Sequence, residues 1–141
     1  MNTTIFWPMI ALVALTLLVW IRLYVVRIGE MRQRRIHPQK VATSRMAADA
    51  LQNVTPADNF RNLFEVPVLF YAICCALAIA GAVTELQLAL AWLFVSLRAA
   101  HSFIHITYNR VMHRFLVYVA GGTVVFLMWA LFALQLAGVM P

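Results

Sequence analysis

Charge is what this sequence lacks most. Asp, Glu, Lys and Arg together make up 11% of its 141 residues, while 64% are hydrophobic; a soluble domain carries about 25% charged residues. That balance excludes an ordinary water-facing surface. Cysteine is nearly absent too: Cys74 and Cys75 are adjacent. Neighbouring helical residues point about 100° apart, so the two are poorly placed to bridge and read as small packing residues. The opening MNTT has no positive charge, and the apolar run after it is too long for a signal-peptide core, so the first segment reads as a retained helix. Lys and Arg are missing from the N-terminus, from the AVTEL turn and from the C-terminal tail. No internal repeat or low-complexity tract is visible.

Long apolar runs are what the sequence has. A spanning helix needs about 20 apolar residues, because the hydrocarbon core is roughly 30 Å thick. Residues 5–26, 64–83, 86–107 and 115–136 meet that length. Backbone groups in lipid must be satisfied within their own segment, so these runs predict helices. The expected fold class is all-α integral membrane, a single domain over residues 1–141 forming a four-transmembrane-helix bundle. Its helices are expected at about 5–36, 55–83, 86–109 and 112–137, with a loop at about 37–54.

The scarce basic residues are one-sided. Arg27, Arg32, Arg34, Arg35, Lys40, Arg45 and Arg61 lie between the first two spans, and Arg110 and Arg114 between the last two. The positive-inside rule places both connections in the cytoplasm and both termini on the other side. The net charge of +6 is therefore a topology signal. Nucleic-acid binding is excluded as a reading, because the basic run has no interleaved aromatics and abuts a membrane. His37-Pro38 marks the end of the first helix. Thr55 is an N-cap candidate, with Pro56 at the first helical position and Asp58 as capping carboxylate. From there the second helix is expected to run unbroken for about 29 residues, roughly 43 Å.

Two polar faces interrupt the apolar spans. Arg98, His101, His105 and Asn109 fall at i, i+3, i+7 and i+11, one face of one helix. Asp58, Asn62 and Glu65 fall on one face of the preceding helix. Counted from the turn near Thr84, Glu65 lies between the levels of His101 and His105. A charge in lipid costs about 2.5–3.5 kcal/mol even on the mildest scale, so each such group must face a partner or water. Arg98 is expected to clamp the two helices through an ion pair with Glu65. His101, His105 and Glu65 form no tight ligand motif, so no metal is expected. Arg114 sits near the start of the fourth helix, with Tyr118 one turn on. Arginine and a helix N-terminus together suit an anion, a carboxylate or thiolate at the membrane edge; anchoring to a lipid phosphate is the alternative.

Three motifs gather these residues: RNLFEVPVLFY at 61–71, Arg98-x-x-His101-x-x-x-His105 continuing to Arg114 and Tyr118, and the weaker Gly29-x-x-Arg32. On them the chain resembles the MAPEG superfamily, the membrane-associated proteins of eicosanoid and glutathione metabolism. It looks like one of the bacterial members, which implies a bacterial inner membrane. The resemblance implies a homotrimer that binds glutathione as co-substrate between neighbouring subunits near the cytoplasmic face. It implies Arg114 as the catalytic arginine that stabilises the glutathione thiolate. It implies Arg32, Arg61, Asn62, Glu65, His101, His105 and Tyr118 as glutathione-binding residues. His105 stands where several members have tyrosine, and Pro67 follows Glu65 by two residues rather than four. The implied activity is a microsomal-type glutathione transferase or peroxidase acting on lipophilic small molecules or lipid hydroperoxides drawn from the membrane lipids. Two other readings of the residues stay open: a non-enzymatic glutathione- or lipid-binding protein, and a small transport or proton-relay component using His101, His105 and Glu65.

Overall fold

The computed structural model describes residues 3–139. Six α-helices follow in order: α1 Phe6–Gln33, α2 Ser44–Ala50, α3 Thr55–Asn62, α4 Val66–Ala80, α5 Glu85–Ile106 and α6 Val111–Leu136. No strand occurs among the described residues. Four spans are long and apolar enough to cross a membrane, α3 and α4 together forming one of them. The architecture is a four-helix membrane bundle.

The inward stripe of α1 is set by Leu12 and Val19 and continues to Ile5 in the 3-10 turn just before it, the three seven residues apart and each at most 2% exposed. That spacing keeps one narrow seam facing a neighbour. The rest of α1 is apolar and outward, with Trp7, Val13, Leu17, Leu18 and Val25 all exposed, as suits a helix whose solvent is hydrocarbon. Helix α5 lies centrally, packed along α6 and touched by α1 and α3, while α4 packs on α6. Phe70 of α4 stacks on Phe94 of α5 with ring centroids 4.6 Å apart, and Ile73, Leu77, Val125 and Met128 close around them. Trp129 of α6 donates its indole N–H to the Leu69 carbonyl of α4 at 3.2 Å.

The expected unbroken second helix is two helices. Leu63, Phe64 and Glu65 separate α3 from α4, and Pro67 stands in the first turn of α4. Proline has no N–H to continue the ladder and biases the residue before it away from helical backbone. Glu65 absorbs the change of direction with φ −95° and ψ −102°. The expected cap at Thr55 also moves: Val54 holds the cap position without a side-chain bond, and Thr55 is already helical. Side-chain caps occur instead at Thr43 and Thr84, whose hydroxyls accept from the N–H groups of Met46 and Gln87, each at 3.2 Å. The connection before α3 contains a 3-10 turn at Pro38–Val41 and then α2. Its far end is tied to α1 through Glu30, which accepts from the N–H groups of Gln52 and Asn53 at 2.6 and 3.2 Å.

Candidate functional site

One continuous inward stripe of α5 changes character along its length. Leu90, Ala91, Phe94 and Val95 are buried and apolar; Arg98, His101, Ser102 and His105 continue the same stripe, each at most 5% exposed. The groups that meet this polar half come from the α3–α4 joint and from the first turns of α6. Asn62 presents its amide to His101 Nε2 at 3.5 Å. On the other side of that ring, Nδ1 donates to the Arg114 carbonyl at 3.2 Å. Tyr118 donates its hydroxyl to Glu65 Oε2 at 3.0 Å, and its ring lies 5.8 Å from that of His101. The depth argument from sequence thus brought together the right level of three helices.

Arg98 does not make the expected ion pair with Glu65. Its guanidinium is 1% exposed and its three nitrogens have no hydrogen-bond partner among the described residues. It sits between two rings, with its central carbon 5.2 Å from the Phe94 centroid and 4.8 Å from the Tyr118 centroid. Tyr118 stands where the clamp was expected, offering its face to Arg98 and its hydroxyl to Glu65. Cation–π contact recovers only about 2 kcal/mol when desolvated, less than the several kcal/mol a buried charge costs. Gly121 keeps α6 close here: a Cβ on it would lie 3.7 Å from two of the Arg98 nitrogens.

Arg114 is half-buried at the start of α6. Its NH1 is 2.8 Å from His105 Nε2 and donates to Asn109 Oδ1 at 2.8 Å. Two expected members stand apart. Arg61 is exposed and reaches Asp58 at 3.8 Å. Arg32 is exposed near the end of α1, beside a groove formed with Tyr24 and Ile28. Neither contacts the layer. Sequence reasoning missed Asn59, which is 2% exposed and accepts from the Ser102 hydroxyl at 3.1 Å. Asn59 precedes Asn62 by three, so the α3 face turned inward is Asn59–Asn62, while Asp58 points out. Among the described residues no three of His, Cys, Asp and Glu converge as a metal would require.

The family model described as MAPEG family matches residues 5–134. The chain belongs to the MAPEG family. No curated protein and no solved structure matches it. As a MAPEG protein it is an integral membrane protein of the group serving glutathione and eicosanoid metabolism. Members of the group use glutathione, include transferases and peroxidases, and are often trimers.

Proposed function

We propose that the polar layer is the glutathione site of a membrane transferase or peroxidase, with Arg114 holding the sulfur as thiolate near the cytoplasmic face. The single observation that carries this reading is the excess of uncompensated positive charge in a buried place. Arg98 and Arg114 enter the layer, Glu65 is the one carboxylate bonded within it, and Arg98 has three unpartnered nitrogens. A buried guanidinium without an anion is costly, so the layer favours an anionic ligand. Glutathione, with two carboxylates, an ammonium and an ionisable thiol, fits that inventory: the arginines suit the acids, Glu65 suits the amine, and Asn62, His101, His105 and Tyr118 suit the peptide groups. Arg32 and Arg61 lie outside the layer and would join the site from a neighbouring subunit of a homotrimer.

The chemistry follows from charge. A free thiol with pKa near 8.5 is a few per cent ionised at pH 7. A cation within about 4–6 Å lowers an acid's pKa by about 1–3 units. A drop of about two units makes roughly three quarters of the bound thiol thiolate, about 2.7 kcal/mol of stabilisation. No cysteine of the chain is needed as nucleophile. The second reactant would come from the bilayer: an apolar groove of about 410 Å³ runs between α1 and the α3–α4 joint, lined by Leu17, Trp20, Phe60, Phe64 and Tyr71. The test is thiolate absorbance on adding glutathione to detergent-purified protein at neutral pH. Binding with a thiolate signal supports the reading, and binding without one, or no binding, sinks it.

A further inference from the structure

Arg114 is held in an unusual way for an arginine in a membrane. Its NH1 lies against the His105 ring, 2.8 Å from Nε2 and 3.3 Å from Nδ1, and donates to Asn109 Oδ1 at 2.8 Å. Both acceptors are uncharged. An imidazole nitrogen that accepts from a guanidinium must be the unprotonated one, and a carboxamide oxygen has no charge to give. Nε and NH2 have no partner among the described residues, and neither ion pair found there involves Arg114. One nitrogen of the fork is therefore fixed while its other edge stays open, with the full charge of the group intact.

The two holders are themselves fixed. His105 is 3% exposed on the inner stripe of α5. Asn109 follows α5 with φ 48°, a left-handed backbone that asparagine tolerates better than most residues. Its N–H closes the helix end by donating to the Ile104 carbonyl at 2.9 Å. His101 adds a third hold through the Arg114 carbonyl at 3.2 Å, fixing the turn from which the side chain leaves.

Building on the glutathione reading above, we propose that His105 and Asn109 are positioning residues. They aim the Nε–NH2 edge of Arg114 at the thiolate, and their neutrality is the point: they orient the cation without compensating it. A carboxylate in either place would hold Arg114 as firmly and neutralise it. The discriminating variant is Asn109→Asp, which exchanges one nitrogen for oxygen at a residue on the surface. Asn109→Gly is its companion, because glycine accepts the left-handed backbone and removes only the side-chain acceptor.

The experiment titrates glutathione into the detergent-purified full-length variants and reads thiolate absorbance at pH 7, beside thermal unfolding of each. Asn109→Asp is expected to unfold no earlier than wild type, yet to lose about two thirds of the thiolate signal at saturation, the result of raising the thiol's pKa by about one unit. Asn109→Gly is expected to lose less. His105→Phe is expected to lose signal and His105→Gln, which restores a neutral acceptor, to recover part of it. A purely structural role predicts that Asn109→Asp behaves like wild type in both measurements, and that outcome overturns the proposal. Absence of the signal in wild type itself overturns the glutathione reading and this proposal with it; loss confined to the variants cannot be mistaken for that result.

Discussion

The two halves of α5 use one helical stripe to opposite ends. From Leu90 to Val95 the stripe is closed by packing, with Phe94 stacked on Phe70 and pressed towards Gly121. From Arg98 to His105 it is closed by polar contacts reaching α3 and α6, several of them to neutral groups. Packing in the first half has no opposing term except side-chain entropy. In the second half, desolvation opposes every contact, and Arg98 has no hydrogen bond to offset it. A fold seeking only stability would continue the apolar half to the helix end. On the proposed reading, the polar half is where stability is given up for binding.

That contrast can be broken at either end. Phe94→Ala should cost about 3–5 kcal/mol of stability, as large aromatic truncations in tight cores do, with glutathione binding by the surviving folded protein little changed; thermal unfolding in detergent checks it. Arg114→Ala should leave unfolding close to wild type but return bound thiol to its solution ionisation, a loss of about 2.7 kcal/mol or some hundredfold in thiolate equilibrium, read by absorbance. Arg98→Met sharpens the comparison through its sign. Replacing an unpaired buried cation by an apolar side chain of similar length should raise stability by about 1–2 kcal/mol while weakening glutathione binding, seen by calorimetry. A fall in stability instead would mean that Arg98 has a counter-charge in the assembled protein. Tyr118→Phe is the smallest change: it removes the hydroxyl bond to Glu65, worth about 1 kcal/mol, and keeps the ring over Arg98.

The spans were legible because hydrocarbon thickness imposes run length, and run length is written directly in the sequence. The level of the polar layer was legible for a related reason: short turns fix the depth of residues counted from them. Rotation was not. Counting placed Asp58 and Asn62 on one face, whereas the helix turns Asn59 and Asn62 inward, and nothing in an eight-residue helix with scattered polar residues decides between them. Reach was misleading in the same way. The Arg98 side chain is long enough to span to Glu65, but length cannot reveal that the Tyr118 hydroxyl occupies the carboxylate first. The break at Leu63–Glu65 had its cause in plain view at Pro67. Prolines within membrane helices are often accommodated, so its presence alone did not decide that α3 and α4 would separate. The hold on Arg114 depended on Asn109 adopting a left-handed backbone, which spacing along a helix does not foresee.

Glu30 closes the connection between the first two spans into a ring. Its carboxylate gathers Gln52 and Asn53 beside α3, and Arg34, bonded to the same carboxylate at 2.8 Å, also takes the Ala50 carbonyl at 2.9 Å. Everything from Pro38 to Ala50 lies inside that ring, outside the register of the helices it joins. Because the entropy of closing a loop grows only with the logarithm of its length, residues added at the exposed positions 38–40, away from the buried Ala47, should cost little and move nothing in the bilayer. The clasp makes this stretch the place where the protein can be lengthened, labelled or fused while the geometry around Arg114 is inherited unchanged.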